Sequence, residues 1–227
     1  TVEVHLGNGL PQFHLVGLAD TEVREARDRV RAAIQSAQFE FPQRRITVNL
    51  APADLPKEGG RFDLAIAIGI LAASGQIAER QLPRLELCGE LSLNGGLRPV
   101  RGVLSAALAA ARAGRALVLA PANAAEAALA RSATVLPADS LGAVCAHLNG
   151  HTRLERAPAP DPEGEGGAGL PDLADVRGQL QARRALEVAA AGGHSLLLFG
   201  PPGTGKSMLA QRLPGVLPAM DEDEAIE

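Results

Sequence analysis

The sequence of 227 residues has no tryptophan, no tyrosine and only five phenylalanines. Any core must therefore be aliphatic, and most of the aromatic platforms on which single-stranded nucleic acid stacks are missing. Cysteine occurs twice, as Cys88 and Cys145, in neither a C-x-x-C nor a zinc-ligand spacing. That excludes a disulfide framework and predicts two buried, reduced thiols, as in a reducing cytosol. The five histidines (His5, His14, His147, His151, His194) form no H-x-x-x-H or H-x-H arrangement, which argues against a histidine-built metal site. The apolar stretch Leu64 to Ala73 is too short to span a bilayer and nothing reads as a signal peptide, so a soluble, cytoplasmic protein without membrane contact is expected. A net charge of −4 gives no global pull toward DNA, although a local basic stripe can hide beneath that average. Lysine is nearly absent as well: Lys57 and Lys206 are the only two.

One of those two lysines sits in the most informative segment of the chain. Gly200-Pro201-Pro202-Gly203-Thr204-Gly205-Lys206-Ser207 matches the spacing G-x-x-x-x-G-K-S/T, directly after the apolar run Ser195 to Phe199. Each fixed position has a mechanical reason. Gly200, Gly203 and Gly205 permit turns that a Cβ would block, so that successive backbone N–H groups can face a phosphate. Lys206 would bring a point charge to the β/γ-phosphates and Ser207 a hydroxyl to Mg²⁺. The run Met208 to Leu213 consists mainly of helix formers, so a strand, loop and helix are predicted around an ATP site. Arg212, one turn beyond the loop, is expected at the surface.

The remainder reads as two domains, for which 46% hydrophobic residues are ample. The alternating Thr1 to Leu6 opens in mid-strand without an initiating Met, so sequence is expected ahead of it. Pro11 to Leu18 is a second strand, and Asp20 would cap a helix to about Ala37. Arg24, Arg27 and Arg31 share a face of that helix. With Glu22, Glu25 and Asp28 interleaved, an ion-paired solvated face is preferred to a DNA-contacting stripe. Arg45 to Leu50 is a strand. Asp63 to Ser74, apolar on all sides and followed by Gly75, is a fully buried helix. Leu85 to Leu93 and Leu97 to Val100 form a hairpin about Asn94-Gly95-Gly96. Val103 to Ala113 is a helix and Ala116 to Leu119 a strand. Two βα steps follow, with helices near Asn123 to Ala130 and Ser140 to Leu148 and a strand at Thr134 to Leu136. A mixed α/β domain over 1–150, a flexible linker over 151–170 rich in Pro and Gly, and the first part of a P-loop domain over 171–227 are the expected organisation.

Asp172 to Gln179, then Ala182 to His194, then the phosphate loop together resemble the start of the AAA+ module of magnesium-chelatase-like proteins. The resemblance implies that Val176, Arg177, Gly178 and Gln179 lie beside the adenine. The first domain resembles the Lon-protease fold (ribosomal protein S5 domain 2-like) in two segments: Pro56-Lys57-Glu58-Gly59-Gly60-Arg61, similar to the segment carrying the Lon nucleophile, and Gly89 to Gly114, similar to that carrying its lysine. Arg61 stands at the serine position and Leu104 at the lysine position. Neither can form a serine–lysine dyad, so peptidase activity is not expected. A degenerate Lon-like domain ahead of such a module is the arrangement of the ComM/YifB family. Membership implies ATP and Mg²⁺ as cofactors, a hexameric ring, and ATP-driven branch migration of DNA in natural transformation. Two alternatives stand beside it: a chelatase-type remodelling ATPase, and a non-catalytic scaffold that uses the first domain for oligomerisation. Asp221 to Glu224 follow no apolar strand and are not read as a Walker B pair. That pair, a sensor and an arginine finger are expected beyond Glu227, and the residues present are expected to bind nucleotide poorly or not at all and not to turn it over.

Overall fold

The computed structural model describes residues 1–17, 21–52, 54, 57, 59–158, 169–218 and 224, with the side chains of 21–24 excepted. Asp20, Pro56, Glu58, residues 159–168 of the expected linker and the acidic residues Asp221 to Asp223 fall outside them. The chain divides into two compact units, Thr1–Ala159 and Pro160–Glu227.

The first unit begins with β1 (Val2–Gly7), β2 (Gln12–Val16), helix α1 (Thr21–Ser36) and β3 (Arg45–Leu50). β3 is the central strand, antiparallel to β1 with Val4 opposite Val48 and parallel to β2 with Leu15 opposite Val48. Its period of two puts Ile46, Val48 and Leu50 in the core and leaves Arg45 exposed. A helix that is apolar all round must be covered on every side, and α2 (Asp63–Ala73) is: eight of its eleven residues are buried. Gly69 lets it approach the sheet, since a Cβ there would stand 2.6 Å from Val4 Cγ2. The helix ends where its sequence predicts. Gly75, at φ +72°, donates to Ala72 O, and Gln76 donates to Leu71 O.

A second sheet is parallel throughout, in the order β4 (Leu85–Leu87), β7 (Ala116–Leu119), β8 (Thr134–Pro137). The helices α3 (Val103–Arg112), α4 (Ala124–Ala128) and α5 (Leu141–Leu148) connect or follow its strands. Here the expected hairpin is divided. Residues 85–87 join β7, and Cys88 N–H extends that pairing to Val118 O before Gly89 N–H turns to Arg61 O. Only the short strands β5 (Glu90–Leu91) and β6 (Leu97–Arg98) pair across the Asn94-Gly95-Gly96 turn. A parallel neighbour thus wins the first half of the run. After Gly150 the chain stays on this unit: Ala157 N–H donates to Val135 O, and Arg156 donates to Ala133 O.

One buried ion pair ties three elements together. Asp63, in the first turn of α2 and 0% exposed, accepts Arg29 Nε at 2.6 Å, Arg29 Nη2 at 3.1 Å and Leu91 N–H at 3.2 Å. Burial pushes the Asp63 carboxyl above its ordinary range, and the Arg29 guanidinium opposes that shift.

The second unit holds a 3₁₀ turn at Leu173–Asp175, capped by the Asp172 carboxylate accepting Ala174 N–H at 2.8 Å, then α6 (Leu180–Gly192) and α7 (Lys206–Ala210). Leu173, Val176, Leu186 and Leu209 form its small core. The strand expected over Ser195–Phe199 is not formed. A strand needs a neighbour for its N–H and C=O groups, and every strand among the described residues belongs to the first unit. Leu197 and Phe199 are accordingly 83% and 89% exposed. The expected helix over Met208 to Leu213 starts two residues earlier and gives way to turns after Ala210.

Candidate functional site

The phosphate-loop residues form one local bracket. Gly200, Gly203 and Gly205 have φ of +150°, +82° and +80°, values that glycine adopts and side chains resist. Gly205 is crowded besides, since a Cβ there would lie 3.0 Å from Gln179 Nε2. Thr204 Oγ1 donates to Pro201 O at 3.0 Å. Lys206 Nζ lies across the loop, donating to Gly200 O at 3.0 Å and Pro201 O at 2.8 Å. Ser207 follows on the exposed side of α7. Pro202 is exposed as well. No aspartate or glutamate occurs between Glu187 and Asp221, so the loop's fixed charges are cationic.

The stretch from Val176 to Gln179 is brought to this bracket by its last residue. Gln179 Nε2 donates to Thr204 O at 3.0 Å. Gln179 also has φ +49°, a left-handed conformation unusual for a side chain of its size, and stands at the N-cap of α6. Val176 is buried in the unit's core, its carbonyl accepting from Arg183 Nη1; Gly178 takes φ +73° and Arg177 is exposed. The tether was not legible in spacing, because residues 179 and 204 lie 25 apart. Arg212 departs from its surface expectation: its side chain is 14% exposed, Nε donates to Asp172 O and Nη1 to Met208 O, so it fastens α7 to the 3₁₀ turn.

In the first unit, Arg61 Nη2 donates to Arg101 O at 3.1 Å, three residues before Leu104. Leu104 itself is packed against the cluster of Val103, Ala107 and Leu119. Where a nucleophile–base pair would need a hydroxyl and an amine, there is a guanidinium tied to backbone and an aliphatic side chain. Lys57 is buried, donating to Pro52 O. Both cysteines are free thiols pushed above their ordinary range by burial, Cys145 to about 12. No cluster of three or more His, Cys, Asp or Glu able to hold a metal, and no helix long and apolar enough to cross a membrane, occurs among the described residues.

Comparison with known proteins gives both units the same kinship. The family model of magnesium chelatase subunit ChlI matches residues 2–123, and a second model of that subunit matches residues 172–227. Over its whole length the chain is 54% identical to the uncharacterized protein YifB of Salmonella typhimurium and 54% identical to the competence protein ComM of Haemophilus influenzae. The chain belongs to the ComM/YifB family of magnesium-chelatase-like proteins. It is 48% identical to an uncharacterized protein of Mycobacterium tuberculosis, and it spans 44–45% of the length of these relatives. As a ComM/YifB protein it is an AAA+ family member, and the mixed α/β architecture with a parallel sheet agrees with that membership.

ATP with Mg²⁺ is the group this family implies, and the residues present fit it. The loop offers bare glycine backbone, one ammonium and one hydroxyl, with no carboxylate to repel a phosphate.

Proposed function

We propose that this chain supplies the phosphate grip of an ATP-dependent AAA+ motor that drives branch migration of DNA as a ring. The observation that carries the nucleotide part is the self-braced loop, with three glycines at positive φ, Lys206 across its carbonyls and Gln179 fastened to Thr204. In this reading Gly200 to Ser207 hold the phosphates, Lys206 neutralises their charge, Ser207 is the protein ligand for Mg²⁺, and Val176 to Gln179 border the base. The bound nucleotide supplies a phosphoanhydride whose cleavage powers the motor. Residues outside this chain would provide the Walker B carboxylates, the sensor and the arginine finger. The DNA substrate and the hexameric ring rest on kinship with the competence protein ComM, and a cytoplasmic location follows from that role.

The test uses the full-length protein on a model three-strand junction. ATP-dependent branch migration that is lost with Lys206→Ala supports the reading. Absence of product from a protein shown to bind ATP would remove the DNA motor and leave the chelatase-type remodelling ATPase, for which stimulated metal insertion into a porphyrin is the corresponding assay. Failure of the parent to bind ATP would remove both and leave the oligomerisation scaffold. Lys206→Ala should weaken ATP binding about tenfold to a hundredfold, the loss expected for a charge-assisted contact of roughly 1.5–3 kcal/mol.

A further inference from the structure

The charged face of α1 divides in the structure. Arg27 Nε meets Asp28 at 3.1 Å on an open surface, whereas Arg31 lies over the ring of Phe41, 4.9 Å from its centroid. The two arginines, one turn apart, line a cleft of about 410 Å³ together with Arg44, His14 and the half-buried Phe13. Among the described residues no carboxylate lines this cleft, and neither Arg31 nor Arg44 is ion-paired. The guanidiniums of Arg31 and Arg44, with Arg27 paired to Asp28 beside them, give this concavity a local positive charge, although the whole chain is acidic. A guanidinium stacked on a ring also keeps its N–H edge available for oxygen acceptors while its position is held.

We propose that this cleft binds one strand of nucleic acid, with backbone phosphates accepting hydrogen bonds from Arg31 and Arg44 and a base against Phe13. An acidic peptide would satisfy the charges but would leave the aromatic lining unused, whereas a polynucleotide offers phosphate and a flat π-face in alternation. The volume lies at the low end of small-ligand pockets and admits a nucleotide rather than a duplex. Two of the five phenylalanines, Phe13 and Phe41, stand in this cleft, so the scarcity of aromatics does not empty it. The inference rests on the reading above for DNA as the protein's substrate, but it uses none of the phosphate-loop residues.

Fluorescence anisotropy of this chain with short labelled oligothymidylate and oligouridylate tests it, with a duplex of equal length and polyglutamate as comparators. Strand binding should weaken with salt at a log–log slope of about −0.7 per phosphate contact. Arg31→Glu with Arg44→Glu should weaken it about tenfold or more and flatten the slope by about 1.4, two contacts at about 0.7 each. Arg44→Glu alone, at an exposed residue without a structural partner, should flatten it by about 0.7 and guards against a misfolded double variant. Arg131→Glu changes the charge equally outside the cleft and should leave binding unaltered. Binding of either strand supports the site. No strand binding by the parent, tighter binding of duplex, an equal loss in Arg131→Glu, or displacement by polyglutamate overturns it. ATP titration of the full-length protein separates the two readings: a full-length parent that binds the strand but not ATP refutes the nucleotide site alone, and the converse refutes the cleft alone.

Discussion

Removing Arg29 should cost the first unit more stability than removing the charge of its partner Asp63. Asp63 has no exposed surface, while the Arg29 side chain retains 20% and has Glu25 at 4.0 Å. Arg29→Met therefore leaves a fully buried carboxylate that still accepts from Leu91 N–H but has lost its cation, a situation that costs about 3–5 kcal/mol. Asp63→Asn keeps an acceptor for Leu91 and one bond to the guanidinium, whose charge can still reach water and Glu25. Its cost should be smaller, about 1–3 kcal/mol. Urea unfolding followed by circular dichroism measures both, and with a slope of about 1–3 kcal/mol/M the first variant loses one molar or more in midpoint. The pH dependence supplies a second readout. Burial already holds the folded Asp63 pKa above its unfolded value, so the folded state keeps the proton longer. Stability then falls as pH rises from about 3.9 through the folded pKa. Without Arg29 the opposing attraction is gone and that window widens upward, so acidification toward pH 4 should recover part of the loss in Arg29→Met. Equal costs below about 1 kcal/mol for both variants, or no recovery in acid, would refute the view that the pair compensates a buried charge.

Three further outcomes follow from single distances. Gly69→Ala puts a Cβ 2.6 Å from Val4 Cγ2 and should destabilise by about 1–3 kcal/mol, with part recovered by Val4→Ala in the same chain, measured by thermal unfolding. Gln179→Ala removes the hydrogen bond to Thr204 O and should weaken ATP binding by the full-length protein roughly threefold to tenfold in a titration, the equivalent of about 1 kcal/mol. Cys145, buried and with its pKa pushed up to about 12, should resist maleimide at pH 8 until the chain is unfolded. Because its folded pKa exceeds the unfolded one, Cys145 should make stability fall as pH rises above about 8.5, by up to about 1.4 kcal/mol per unit, and Cys145→Ala should reduce the alkaline slope to the part that Cys88 contributes.

What was legible in the sequence is what depends on local pattern. The period of two in β3, the all-apolar α2 with Gly75 behind it and the glycine spacing of the phosphate loop all act within a few residues, and each element lies where its pattern puts it. Pairings over distance were not legible. Leu85 to Leu87 had two candidate partners, the near run after Asn94 and the remote Ala116 to Leu119, and alternation alone does not choose between them. Arg29 was hidden among the charges of α1, yet a signal existed in Asp63: a lone carboxylate opening a helix that is apolar on every side must find a cation. The arginine face was half legible. Arg27 meets its expected carboxylate, but Arg31 is claimed by Phe41, ten residues on, because a ring beneath it competes with an exposed ion pair of small worth.

Among the described residues the shape of the loop from Gly200 to Ser207 is set by local contacts. Ser195 to Phe199 pair with no strand among the described residues. The loop's shape is held instead by contacts within itself and from Gln179: Thr204 to Pro201, Lys206 to Gly200 and Pro201, and Gln179 to Thr204. In the proposed reading Lys206 braces the loop and presents a charge to the phosphates, whereas Gln179 braces the loop and borders the base. The two can be separated by titrating ATP and a neutral ligand of the base, adenosine, against the same variants of the full-length protein. Lys206→Ala should lose ATP affinity far more than adenosine affinity, because the phosphate contact goes with the brace. Gln179→Ala should lower both by the same small factor. A Lys206→Ala variant that loses the two ligands equally would mean that its amine acts on the shape of the loop and not on the phosphates.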